Sequence, residues 1–247
     1  MTAAPFLRFA LIGHGRIGRC VLQAWREGEL PGWTPSAVLV RSQPAGTDPL
    51  LTADPQAFLA TRPDVFIDAA GPEALAAHGE AALAVAPLWT VSAAALADEA
   101  LTTRLERAVR ASGHRLRVLS GAIAGLDGVA MAATDPQCRL RLEIELLPDG
   151  RPAEVLFEGS VREAARRFPD SVNVAAAAAW AGPGLDAATV RVRRPGPVAF
   201  NRLALKASSR YGSMTAETRP RVADGVHPVA ASILAALRQH LQPIWVG

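Results

Sequence analysis

The 247-residue sequence predicts an α/β chain: a domain built on a parallel sheet, then a smaller α+β domain carrying a mostly antiparallel sheet. Three observations predict it. Short apolar runs alternate with helical patterns as far as Ser120, as in strands joined by covering helices. A glycine-rich turn, "GHGRIG", separates the first strand from the first helix. Beyond Ser120 the apolar period changes, and "RLRLEIELL" alternates polar with apolar residues as a one-sided antiparallel strand does.

The elements follow in order. "RFALIGHG" is a strand running into a turn, and "RIGRCVLQAWREG" is a helix with Ile17, Val21, Leu22 and Trp25 on one face, ended by Gly28 and Pro31. "PSAVLVRS", "PDVFIDAAG" and "LWTVSAA" are the next three strands, with the helix former "PEALAAHGEAALAVA" between the last two. "LADEALTTRLERAVRASG" is a helix opened by acidic residues and closed by Gly113, and "RLRVLSG" is a further strand. In the second part, "AEVLFEGSVREAARRFP" reads as a strand and a helix, and "SVNVAAAAAWAG" as a helix of small residues. "ATVRVRRPG", "FNRLALKASS" and "GSMTAETRP" read as strands, and "HPVAASILAALRQHL" as a closing amphipathic helix. Topology suggests that this last helix returns to the first domain. The expected division is therefore 1–120 with 226–247, and 121–225.

Composition excludes several classes. No apolar run reaches the roughly 18–20 residues that span a bilayer, and the N-terminus carries no signal-peptide pattern, so the expectation is a cytoplasmic protein without a membrane partner. Two cysteines, Cys20 and Cys138, and histidines at 14, 78, 114, 227 and 240 show no ligand spacing, so no metal is expected. The net charge is +3, with Lys206 the single lysine. Arg166, Arg167 and Arg191–Arg194 lack interleaved aromatics, so they read as solvated faces or anion contacts, and no nucleic-acid partner is expected.

The turn carries the chemistry. Gly13 suits a tight turn, Gly15 lets a pyrophosphate approach the backbone, and Gly18 allows close helix–strand packing. His14, Arg16 and Ile17 fill the rest of the fingerprint, whose anion would sit at a helix N-terminus. This strand–turn–helix setting predicts a Rossmann-type domain binding NAD or NADP. The end of the second strand carries Arg41 and Ser42 where an acidic residue would hold the ribose hydroxyls of NAD. A guanidinium there suits a 2′-phosphate, so the expectation leans to NADP. Ala70 and Gly71, which end the third strand, complete the expected cofactor set.

"VLSGAIAGLDG" (118–128), "VLFEGSVREAARRFPDSVNVAAAAAWAG" (155–182) and "VSAAALADEAL" (91–101) together resemble the L-aspartate dehydrogenase family. The resemblance covers most of the chain in order. It implies a Rossmann domain joined to a smaller α/β domain, and interconversion of L-aspartate with oxaloacetate and ammonia through iminosuccinate. It places cofactor contacts on Ala122 and Asn173, and substrate contacts on Ser120, Gly121 and Asn201. Read from the residues alone, Asn173 is equally a capping residue at a helix start. The family's histidine follows that Asn by two positions, where this chain has Leu203. "DGVHPVAAS" keeps Pro228 and Ser232 of the family's segment before the last helix but lacks its Lys and Thr, and 127–157 is shortened.

A proton source is then needed, and histidine is the usual one. His227 is the candidate, because its segment borders the active site in the family; an exposed loop histidine is the alternative reading. His78 and His114 are expected at the surface. Arg202 and Arg210 are possible carboxylate binders and Tyr211 a possible donor, none singled out by spacing. Three activities are compatible with these residues. The first is an NAD(P)-dependent amino-acid dehydrogenase or imine reductase of the aspartate dehydrogenase type, acting on aspartate or on an altered small-molecule substrate. The second is a reductase of another imine or carbonyl compound, and the third a silent dinucleotide-binding subunit. A homodimer is expected through the second domain's sheet.

Overall fold

The computed structural model describes residues 6–42, 48–196, 201–221 and 227–244. The chain divides into two compact units. The first takes the described residues to Leu119 and the C-terminal helix, and the second takes Ser120 through the strands that precede that helix. The expected boundary at 225/226 lies outside the described residues.

In the first unit, strands β1 (Leu7–Ile12), β2 (Trp33–Leu39), β3 (Leu51–Thr52), β4 (Val65–Asp68), β5 (Leu88–Thr90) and β6 (Leu116–Val118) form one sheet in the order β3-β2-β1-β4-β5-β6. Every neighbouring pair is parallel. Helices α1 (Arg16–Arg26), α2 (Pro55–Ala60), α3 (Pro72–Leu83), α4 (Glu99–Ser112) and the C-terminal helix (Pro228–His240) cover it. Both faces are buried, which is why β1 is apolar from Phe9 to Ile12. Phe9 and Leu11 pack with Val21 and Leu22 of α1 and with Ile233 and Leu237 of the C-terminal helix. Ala10 and Ile12 face the opposite way, toward Leu75 and Leu83 of α3 and Leu101 and Leu105 of α4. Helix ends follow local chemistry. Asp98 caps α4 by accepting from the N–H groups of Ala100 and Leu101, and Gly113 (φ 74°) ends it in the left-handed region.

The C-terminal helix buries Ala230, Ile233, Leu234 and Leu237, an i, i+3, i+4, i+7 stripe. The Trp33 Nε1–H donates to the Leu237 carbonyl at 2.9 Å. Arg238, near the end of this helix, binds Glu29, just past the end of α1. At the other end of the pair, His227 lies near enough to Arg16, the first residue of α1, to feel its charge.

In the second unit, β7 (Arg139–Glu145), β8 (Glu154–Ser160), β9 (Thr189–Arg194), β10 (Leu203–Ser209) and β11 (Gly212–Thr218) form a sheet in the order β11-β10-β7-β9-β8. Its pairings are antiparallel except β7 with β9. Leu140, Leu142 and Ile144 share a face with Val190, Val192, Leu203, Leu205 and Ala207, and all are buried. Helices α5 (Leu126–Ala132), α6 (Val161–Arg167) and α7 (Asn173–Ala181) complete the unit. Gly125 and Gly128 let α5 seat on Met214 of β11, and Gly182 lies against Val129 of α5. A capping box at Ser160 and Glu163 starts α6. The opposite face of the sheet is charged, with Arg202 bound to Glu143 and Glu217, and Arg191 bound to Glu158. Arg191 and Arg194 thus have carboxylate partners within the fold, Arg194 binding Glu154 and Asp149.

The Trp33 clamp yields a stability prediction. Trp33→Phe leaves the buried Leu237 carbonyl without its donor, at a cost of about 1–3 kcal/mol. The thermal midpoint read by circular dichroism should fall by about 2–12 °C, at about 2–4 °C per kcal/mol for a chain of this size. An unchanged midpoint would show that the C-terminal helix is not clamped there.

Candidate active site

The order β3-β2-β1-β4-β5-β6 reverses direction between β1 and β4, and ligands of such sheets bind beyond the carboxyl ends of the strands at that point. Gly13 ends β1 there with φ 103°, and a Cβ on it would stand 2.6 Å from the Cβ of Ala70, which follows β4. Gly18 abuts the Gly13 carbonyl, leaving no room for a side chain where α1 crosses the strand end. Gly15 is different. Nothing lies within 4 Å of a Cβ placed on it, and its backbone (φ −75°, ψ −162°) suits any residue. Two glycines of the turn are required by the fold, and the third keeps open a space outside it. Gly15 caps α1 without a side-chain bond, so the first N–H groups of α1 face that space, an arrangement suited to a pyrophosphate.

A cleft of about 600 Å³ opens beside the turn. Gly13, His14, Gly15, Arg41, Ser42 and Ala70 all line it, so six of the expected cofactor residues meet in one place. Arg16, Ile17 and Gly18 form the first turn of α1 beside it, and Gly71 (φ 109°) is the residue from which α3 starts. Burial, then the charges of Arg19 and Arg26, hold the His14 imidazole below the usual histidine range, opposed by Asp48. The cleft also has a wall that sequence reading missed. Glu73, Ala74, Ala77 and His78, spaced i, i+1, i+4, i+5 on α3, line it. His78 is therefore part of the cleft wall, not plain surface. His114 is also no plain surface residue, with Nδ1 2.8 Å from the Leu83 carbonyl oxygen.

His227 is the N-cap of the C-terminal helix, where its Nδ1 accepts from the N–H of Val229 at 3.2 Å. That bond needs an unprotonated Nδ1, so the neutral ring carries its proton on Nε2. Burial, and then the charge of Arg16, hold its pKa below the usual value.

In the second unit, Ser120, Gly121 (φ 64°) and Ala122 form the turn that follows β6 and leads to α5. Asn173 opens α7, and its side-chain amide donates to the Pro169 carbonyl at 3.3 Å. Asn201 precedes β10 by two residues, and Leu203 (5% exposed) opens that strand opposite Ile144 and Thr218. Asn201 Oδ1 and Thr218 Oγ1 are both buried without a hydrogen-bond partner. Buried polar atoms are nearly always paired, with protein or with ordered water, so these two stand out beside Leu203. Arg202 is occupied by two carboxylates, and Arg210 binds Asp135, with its N–H 2.6 Å from Oδ2. Tyr211 is 57% exposed.

Comparison with known proteins agrees with both halves. Residues 13–119 match the NAD-binding domain model of homoserine dehydrogenase, and 118–240 match the C-terminal domain model of aspartate dehydrogenase. An L-aspartate dehydrogenase 2 of Bordetella pertussis is 36% identical over 97% of this chain and 99% of its own length. An L-aspartate dehydrogenase of Ruegeria pomeroyi is 36% identical over 94% of this chain and 92% of its own. The crystal structure of aspartate dehydrogenase from Thermotoga maritima superposes with a TM-score of 0.75 at 23% identity, covering 98% of this chain and 99% of that one. With a glycine turn shaped for a dinucleotide and whole-length similarity to these relatives, the chain belongs to the L-aspartate dehydrogenase family, whose members are nicotinamide-dependent oxidoreductases acting on a CH–NH2 donor.

Proposed function

We propose that this chain is an NADP(H)-preferring dehydrogenase of a small amino acid or its imine, with a substrate half that has moved away from the family pattern at Leu203. The observation that carries the cofactor half is the turn. Gly13 and Gly18 are sterically required, while Gly15 guards open space over uncapped N–H groups. The preference for NADP(H) rests on Arg41 and Ser42, both exposed and both in the cleft, where a guanidinium matches a phosphate. When bound, the nicotinamide supplies or accepts the hydride. The chain's residues do the rest.

Ser120 and Gly121 are proposed to bind a substrate carboxylate, and Ala122 and Asn173 to contact the cofactor. Asn201 is proposed to bind substrate through the Oδ1 that has no partner in the fold. His227 is the proposed catalytic group, acting through Nε2. Because Nδ1 holds the helix cap, the ring would polarise a reacting atom as a neutral hydrogen-bond donor, and the lowered pKa opposes its charging. Leu203 can neither donate nor accept, which supports a substrate that differs from aspartate in polarity beside Asn201.

The purified protein should consume NADPH, followed at 340 nm, with a 2-oxo acid and ammonia, and a panel of such acids should rank one other than oxaloacetate first. No turnover on the panel despite NADPH binding would favour a silent binding subunit. Gly15→Val should abolish NADPH binding while the thermal midpoint stays within about 2 °C, because its side chain meets ligand rather than protein. Arg41→Ala should raise the Kd for NADPH about tenfold or more, the worth of a charge-assisted bond, and leave that for NADH within about twofold. Equal effects on both would remove the 2′-phosphate role. Leu203→His should raise aspartate oxidation at least about a hundredfold, the low end for a general acid–base group, with Thr218 Oγ1 as the new imidazole's partner. No gain would place the divergence beyond this one residue.

A further inference from the structure

One buried acid has no part in the chemistry above. Asp68 is fully buried at the end of β4, paired in register with Ile12 of β1 and Thr90 of β5. It therefore sits at the carboxyl edge of the sheet, on the β4 side of the reversal. Its Oδ2 accepts from the Thr90 hydroxyl at 2.7 Å, and its Oδ1 accepts from the N–H of Ala70 at 3.1 Å. Thr90 Oγ1 in turn accepts from the N–H of Ser92 at 2.9 Å. One carboxyl group thus ties the turn after β4 to the turn after β5.

The turn it holds matters to the cleft. Ala70, whose N–H is bound, is the residue whose Cβ leaves space only for glycine at 13. Ala69 and Ala70 line the cleft, and α3, which starts after Gly71, brings Ala74 and His78 to its wall. As a stabilising device a buried carboxyl is a poor choice. Burial pushes it above the usual carboxylate range against its hydrogen bonds, and an apolar side chain of similar volume is often neutral or better for stability. What the carboxyl adds is direction, an acceptor aimed at one particular N–H.

We infer that Asp68 is a positioning residue for the bound dinucleotide, acting through the Ala69–Gly71 turn that it holds against Gly13. This rests on the reading of the turn as the dinucleotide site.

The test compares affinity with stability. Wild type, Asp68→Asn, Asp68→Ala and a control, Val65→Ala, are titrated with NADPH by fluorescence, and each is melted. Val65 is buried on the same strand away from the turn, so its truncation weakens the core alone. Asp68→Ala should raise the Kd at least about tenfold, as expected when a buried hydrogen-bonded acceptor is lost. Asp68→Asn keeps an acceptor for Ala70, so it should recover part of that loss and remain about threefold or more weaker than wild type. Val65→Ala should lower the midpoint and leave the Kd within about twofold. Should Asp68→Ala not fold, the asparagine variant alone decides. An unchanged Kd in Asp68→Asn, or a rise as large in Val65→Ala, would make Asp68 a merely structural acid. Absence of NADPH and NADH binding by wild type would instead overturn the dinucleotide reading itself.

Discussion

The close approach of Gly13 to Ala70 is the constraint on which the rest of the first unit depends. β1 and β4 are adjacent, and each runs into its own turn at the same sheet edge. The two turns can lie side by side only if one of them has no side chain. Gly13 meets that demand with a positive φ, and Gly18 meets the matching demand where α1 crosses the strand end. Once these contacts close, the start of α1 is held at the edge with its N–H groups outward, and the cleft follows between the turn, the end of β2 and α3. The cleft is thus a by-product of packing that the fold needs anyway, and Gly15 is the one of these three glycines beside which the fold leaves open space.

The two units differ in how closely they hold to the family's chemistry. The first has every backbone feature that a dinucleotide needs. The second keeps its scaffold, with β10 between β7 and β11 and the apolar face complete, and Leu203 stands where the resemblance to the family implies a histidine. A leucine fits that face well, since its register neighbours are Ile144 and Thr218 and the face is otherwise apolar. The mismatch is in the polar atoms left around it, Asn201 Oδ1 and Thr218 Oγ1, which the fold does not pair. Burial favours the leucine while hydrogen bonding does not, a conflict typical of a place where function rather than stability sets the residue.

Much of this was legible from the sequence, for reasons that differ by element. β1, α1 and the turn between them could be read because each glycine has a steric task and the helix has a clear apolar stripe. The acidic start and the Gly113 stop of α4 were equally plain, while the capping role of Asp98 came from the structure. β3, α2 and α5 were not, because two to seven residues are too few to show a period. The parallel pairing of β7 with β9 was invisible, since a period of two is the same in either orientation. The α3 wall of the cleft escaped notice because Ala74 and Ala77 are ordinary helix formers, and only the sheet order brings them to the site. His227 could be found as a residue but not as a cap, a task usually given to Ser, Thr, Asp or Asn.

The account turns on where the cofactor's phosphates lie, and a crystal structure of this chain with NADP⁺ measures that directly. It should show the pyrophosphate against the N–H groups at the start of α1 above Gly15, with the 2′-phosphate on the Arg41 guanidinium and the adenosine in the cleft beside α3. A pyrophosphate bound away from Gly15, or a 2′-phosphate that leaves Arg41 in solvent, would contradict it.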